Sequence, residues 1–197
     1  LRRLILASTS TARAAILEGA GVTFEAIVPG VDEGEIKARL VGEGHGPLVV
    51  ARTLAARKAV VVSQRYNALV AGADQTLECE GALIDKAASA EEARQSLLRL
   101  RGRGHFLHCA VALAEAGEVV WSAHETAQMF MRDFSEAFLA DYLAREGERL
   151  LTTVGGYRLE GEGAQLFERI EGDYFAILGL PLLPLLGALR ARGALAT

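Results

Sequence analysis

Cysteine is nearly absent from this chain. Cys79 and Cys109 are the only two in 197 residues, which argues against a disulfide framework and against a zinc site built on cysteine. Both read as buried thiols in a reducing compartment. An excess of positive charge is also lacking. The formal charge is −4 and the pI about 5.6, whereas a broad nucleic-acid footprint needs a basic face. No apolar run is long enough to span a bilayer. The longest uncharged stretch, Tyr174–Leu189 (YFAILGLPLLPLLGAL), falls short and carries Pro181 and Pro184. It reads as a buried strand followed by a helix with Pro181 near its first turn. No secretory signal is visible, because Arg2 and Arg3 precede only a few apolar residues before Ser8. The expected location is cytoplasmic, without membrane or nucleic-acid partners. Internal repeats and low-complexity segments are missing too.

What is present is hydrophobic residue in quantity, 51% of the chain, with a mean hydropathy of +0.22. That is enough for a globular core, and residues 1–197 are expected to form one domain, with room for two lobes around a cleft. The chain is organised around Leu4–Leu17, LILASTSTARAAIL. Leu4-Ile5-Leu6 reads as a buried strand. Ala7 through Thr11 are small, mostly hydroxyl residues, any of which could cap the helix that follows through Glu18 to a stop at Gly19 or Gly21. Such a strand–turn–helix unit aims free N–H groups and the positive end of the helix dipole at one point, and so suits a phosphate. Arg13, in the first helical turn, could join the same anion site.

Phe24–Val28 reads as a second strand, and Val31-Asp32-Glu33-Gly34-Glu35 as an acidic loop. A helix is expected from Leu48 to about Val62, with Lys58 on spacing alone a surface lysine. Ala68–Ala73 reads as a strand with Asp74-Gln75 at its tip, a position where α/β proteins place ligands. Leu77–Leu83 continues through a turn at Glu80-Gly81. Ser89 caps a helix to Arg101, and His105–Ala114 with Val119–Arg132 form a hairpin at Ala116-Gly117. His105, His108 and His124 lack zinc spacing and read as structural. Ser135 caps a further helix. Gly155–Gly163 is a flexible Gly-rich loop that fits neither a Walker loop nor a dinucleotide fingerprint.

In order along the whole length, these pieces resemble the Maf family of nucleoside triphosphate pyrophosphatases. The family's L-A-S-x-S-P-R-R is occupied by Leu6-Ala7-Ser8-Thr9-Ser10-Thr11-Ala12-Arg13, its V-D-E by Val31-Asp32-Glu33, and its L-A-x-x-K-A by Leu54 through Ala59 with Lys58. Its G-A-D-T is matched by Gly72-Ala73-Asp74-Gln75, the Lys of its K-P by Lys86, and its G-x-Y-x-I-Q-G-x-G by Gly155 through Gly163. Near the end, G-D-Y and V-G-L-P-L match Gly172-Asp173-Tyr174 and Leu178 through Leu182. The resemblance implies an α/β (mixed α+β) fold: a long twisted mixed sheet flanked by helices, in two lobes around a central cleft, like inosine-triphosphatase-type enzymes. It also implies a divalent metal cofactor (Mg²⁺, Mn²⁺ or Co²⁺), commonly a homodimer, and a nucleoside triphosphate substrate.

On that reading Arg13, Lys58, Lys86 and the Ser8–Ser10 turn gather a polyphosphate of about four negative charges. Asp74 and Glu33 supply oxygen ligands for the metal. Water attacks the α-phosphorus with Asp74 as base, metal ligand or both. Asp74, Glu33, Lys58 and Lys86 form the catalytic set, and Ser8, Ser10, Arg13, Gln75 and Glu160 the substrate-binding set. The departures from the pattern are Thr11 for Pro, Ala12 for the first Arg, Gln75 for Thr, Glu160 for Gln, and Ala87 where a Pro follows the Lys. With Ala12 and Glu160 the chain resembles the subgroup directed at 7-methyl-GTP, whose cationic base and N–H edge suit a carboxylate. Two alternatives stay open: a dTTP/UTP pyrophosphatase of the same family, and a non-catalytic nucleotide-binding regulator of septum formation.

Overall fold

The continuous apolar run Leu4–Ala7 becomes β1, buried at every residue, as a strand with parallel neighbours on both sides must be. In the computed structural model, which describes residues 1–197, those neighbours are β2 (Glu25–Ile27) and β3 (Leu69–Cys79). The sheet has seven strands in the order β2-β1-β3-β5-β6-β7, with β4 (Ala82–Ile84) beside β3 off that path. β5 (Gly104–Glu115), β6 (Glu118–Met131) and β7 (Phe167–Glu171) pair antiparallel, so the sheet is mixed. Ala116 and Gly117 join β5 to β6 with φ of 51° and 85°, the two left-handed residues that a tight hairpin with the native twist requires.

The two edges of β3 differ, and that difference creates the site. Along one edge β5 pairs with it from Val70 to Glu78. Along the other, β1 pairs with Leu69–Gly72 and β4 with Leu77–Cys79, so Ala73 through Thr76 face a gap between two neighbours. β1 delivers the Ser8–Ser10 turn to one side of this gap, and β4 delivers Asp85-Lys86 to the other.

Helices close around this frame: α1 (Thr11–Gly19), α2 (Glu33–Gly42), α3 (Pro47–Ser63), α4 (Ala90–Leu100), α5 (Glu136–Glu146), α6 (Tyr174–Ile177) and α7 (Leu182–Ala191). Two cores form. One joins β1, α1 and α7 through Leu6, Leu17, Leu185 and Leu189. The other joins the far half of β3, α4 and α5 through Leu77, Leu97, Leu139 and Tyr142. This is the two-lobed mixed sheet that the family pattern implies. None of the helices is long and apolar enough to cross a membrane.

Alanines at four-residue spacing, Ala51, Ala55 and Ala59, give α3 a small face toward the sheet. That face brings the helix backbone onto Gly72, where a Cβ would lie 2.4 Å from the Ala55 carbonyl oxygen and 2.6 Å from Ala59 N.

Several local expectations are corrected. The acidic stretch 31–35 is not a loop: Asp32 Oδ1 accepts from Glu35 N at 2.9 Å and caps α2, whose first turn holds Glu33 and Glu35, as the helix dipole favours. The start of the C-terminal apolar run is helix α6 rather than strand, because Asp173 Oδ1 caps Ala176 N at 2.8 Å. Asp74 stands mid-strand, not at a tip, since β5 keeps pairing past it. The Gly155–Gly163 segment is pinned by buried Tyr157, whose hydroxyl meets His105 Nε2 at 2.8 Å. His108 bridges Thr126 and Glu78, and both cysteines are buried thiols.

The Gly72–α3 contact is testable. Gly72→Ala should cost about 2–3 kcal/mol in urea unfolding, since the atoms that must move are backbone. Gly187→Ala, in α7 where an added methyl meets nothing, should instead gain up to about 1 kcal/mol.

Candidate active site

A cleft of about 1210 Å³ opens at the β3 gap, and all nine residues singled out in the sequence line it: Ser8, Ser10, Arg13, Glu33, Lys58, Asp74, Gln75, Lys86 and Glu160. Ser10 is the N-cap of α1, its Oγ accepting from Arg13 N at 3.3 Å. Ser8 Oγ accepts from Ser10 N at 3.1 Å. Arg13 Nε donates to the Gly179 carbonyl at 2.7 Å, and Nη1 reaches Ser8 Oγ at 3.4 Å. The guanidinium is thus fixed by the segment between α6 and α7, with Nη2 left for an anion.

At the centre lies Lys58, which is not the surface lysine that its spacing suggested. Its side chain is 5% exposed, with Nζ 2.7 Å from Asp74 Oδ1 and 2.8 Å from Glu33 Oε1. α3 presents Lys58 inward because the small face beside it lets the helix sit low over β3. Asp74 is almost as buried, at 7%, while Glu33 reaches in from α2 at 45%. Burial works against ionised Glu33, but the Lys58 hydrogen bond and the charges of Lys58, Lys37 and Lys86 outweigh it and leave its carboxyl below the usual 4.5.

Lys86 enters from the loop after β4. Its backbone bridges to Val154, which shares a core with the flanking Ile84 and Ala87 and holds the loop in place without a following proline. Gln75 lines the cleft, but its Nε2 donates to the carbonyls of Ala176 and Ile177 at 2.9 and 3.0 Å. Those bonds tie α6 to β3 and leave the amide oxygen as the group Gln75 can offer. Glu160 Oε1 accepts from Arg158 Nε at 3.1 Å, leaving its second oxygen without a side-chain partner.

The cleft holds three further cations that the sequence reading missed: Lys37, Arg149 and Arg158. Lys37 had a legible signal, lying one helical turn after Glu33, but reading residues 31–35 as a loop hid it. Arg149 sits on a 3-10 turn, Gly147–Thr152, with no periodicity to mark it.

Together these groups can neutralise a polyanion and hold a nucleophile beside it. No three His, Cys, Asp or Glu side chains cluster, so the donor set is unlike a structural zinc cage of such ligands. The two carboxylates on Lys58 do fit Mg²⁺-type binding, which uses one or two carboxylates and completes its shell with waters and substrate phosphates.

The chain is similar to known proteins over nearly its whole length. The family model described as Maf-like protein matches residues 3–192. The chain is 54% identical over 195 residues to "Nucleoside triphosphate pyrophosphatase" from Caulobacter vibrioides, covering 99% of this chain and 98% of that one. It is 53% identical to the protein of the same name from Granulibacter bethesdensis, covering 98% of each. It is 48% identical to "7-methyl-GTP pyrophosphatase" from Rhizobium meliloti, covering 98% and 97%. Among solved structures, a HAM1 protein from Coxiella burnetii is similar with a TM-score of 0.47 at 15% identity, covering 68% of this chain and 75% of that one.

The Lys86 ammonium is held below its ordinary 10.5 by partial burial and then by the Arg13 charge, with Glu33 and Asp74 opposing. It therefore loses its charge as pH rises through a value below 10.5. Calorimetric binding of inorganic pyrophosphate should weaken over that range, by about tenfold. Lys86→Arg, which keeps its charge there, should remove the weakening.

Proposed function

The chain belongs to the Maf-like protein family, and on that premise we propose that it is a nucleoside triphosphate pyrophosphatase. Water attacks the α-phosphorus of the nucleotide, the bond to the bridging α–β oxygen breaks, and a nucleoside monophosphate and pyrophosphate leave. The observation that carries this reading is the meeting of Arg13, Lys58 and Lys86 with Glu33 and Asp74 in one cleft.

Each residue has work that follows from its position. The α1 N-terminus, with Ser8 and Ser10, offers backbone N–H groups to a phosphate. Arg13, already oriented by Gly179, adds a planar fork for paired phosphate oxygens. Lys86 stands on the opposite wall as a point charge for the departing pyrophosphate. Lys58 fixes one oxygen of Asp74, so the other is aimed into the cleft to orient or deprotonate the attacking water. A divalent cation held by Asp74 and Glu33 would polarise the phosphate and lower the pKa of bound water.

Substrate choice rests on the opposite lobe. Glu160 faces the cleft with one carboxylate oxygen taken by Arg158. The other is free to accept from the N–H edge of a guanine, and its charge complements a 7-methylated, cationic base. Relatives named for 7-methyl-GTP share 46–48% identity with this chain, which supports the same substrate here. The role is removal of modified nucleotides.

Pyrophosphate release measured across a nucleotide panel with Mg²⁺, Mn²⁺ and Co²⁺ tests the activity, with 7-methyl-GTP expected to be turned over fastest. Asp74→Asn should lower kcat by roughly 10² to 10⁴-fold while nucleotide binding stays measurable; wild-type turnover in that variant would remove Asp74 from the mechanism. Glu160→Gln should shift preference away from guanine nucleotides, and an unchanged substrate profile would refute its role.

A further inference from the structure

Lys37 lies one turn beyond Glu33 on α2, and its Nζ donates to Asp85 Oδ1 at 2.7 Å. Asp85 immediately precedes Lys86, on the loop whose backbone bridges to Val154. The pair therefore ties α2 to the wall that carries Lys86. Besides the Glu33–Lys58 bond, α2 is held by one buried residue, Leu40, packed with Val50, Leu54 and the half-buried Ile36.

The two partners are unequal. Lys37 lines the cleft and is 23% exposed, while Asp85 stands 58% exposed. A pair this open to water holds by no more than about fivefold. Glu33 also feels the Lys37 charge, but Lys58 already takes one of its oxygens at 2.8 Å. A polyphosphate tail brings several charges to the same place, less screened than Asp85 because the cleft walls exclude water. Competition between them favours the tail.

We propose that Lys37 is a further polyphosphate-binding residue, held by Asp85 and handed to the phosphate tail when the tail enters the cleft. This rests on the pyrophosphatase reading of the cleft. Asp85 thereby lowers affinity for both substrate and the pyrophosphate product. Exchange of one weak partner for another lets α2 grip the tail and release it without moving the buried Lys58–Asp74 pair.

The test is a mutant cycle on the full chain, read by steady-state KM for 7-methyl-GTP and by calorimetry with inorganic pyrophosphate. Lys37→Gln should raise KM and weaken pyrophosphate binding about tenfold, with kcat changed less than KM. Lys37→Arg should restore most of the loss. Asp85→Asn should tighten binding up to about fivefold, and the double variant should match Lys37→Gln. A structural strap predicts the opposite for Asp85→Asn, because cutting either end loosens the wall. So Asp85→Asn binding no tighter than wild type, or Lys37→Gln binding like wild type, overturns the proposal. A wild-type protein that releases pyrophosphate from no nucleotide overturns the activity instead, and the pyrophosphate titrations then decide the role of Lys37 alone.

Discussion

The structure depends on one ammonium group buried between two carboxylates. Lys58 leaves water to sit 2.7 Å from Asp74 and 2.8 Å from Glu33. Such a buried pair stabilises a fold little, because desolvation offsets most of the Coulomb attraction, while removing one partner costs about 3–5 kcal/mol. Its value here is orientation. Lys58 comes from α3, Asp74 from the middle of β3 and Glu33 from the first turn of α2, so one nitrogen fixes three elements relative to each other. Everything else in the cleft is placed against that centre.

The sheet makes room for this centre. A carboxylate in the middle of a strand with partners on both edges would be enclosed by protein. β3 avoids this because β1 stops opposite Gly72 and the antiparallel β4 ends opposite Leu77, which exposes one edge over four residues at the point where the strand's neighbour changes. The ends of those two neighbours then become the cleft walls: the serine turn and α1 after β1, and the Lys86 loop after β4. Gly72 sets the depth. Without a Cβ, it lets α3 approach until Lys58 reaches Asp74 two residues along the strand on the same face.

Sequence made the first wall readable and hid the centre. The serine turn, the N-cap and the start of α1 form a local unit whose capping hydrogen bonds span five residues or fewer, so short-range pattern is enough. Lys58 could not be read this way. On helical spacing it is one basic residue among Arg52, Arg57 and Lys58, and only tertiary contact with β3 separates the buried one from the exposed ones. The family pattern supplied what spacing could not. The α2 error had a local cause: Gly34 and three carboxylates look like a solvated turn, yet Asp32 and Glu35 stand at capping-box separation. Taking that signal would have placed Lys37 one turn from Glu33. Arg149 and Arg158 belong to irregular backbone, where side-chain direction follows from packing alone.

Net charge is a poor guide to such a site, and the reason is geometric. The chain carries −4 overall, yet its cleft is lined by six cations (Arg13, Lys37, Lys58, Lys86, Arg149 and Arg158) against three carboxylates (Glu33, Asp74 and Glu160). At physiological salt the screening length is about 8 Å, so carboxylates on the far surfaces contribute little to the potential between the walls. Low-dielectric walls focus the field of the lining charges instead. The same separation explains how an acidic protein can select a compact polyanion over a nucleic acid. Its positive groups face inward on both sides of a hollow, where a nucleotide's phosphates fit, rather than along an outer surface that a duplex could follow. Three of the six cations are partnered by carboxylates of the chain. Arg13, Lys86 and Arg149 make no ion pair, and Arg13 and Lys86 stand at the two edges of the β3 gap. The free charge is therefore concentrated at the points where a phosphate tail bridging the gap would meet both walls.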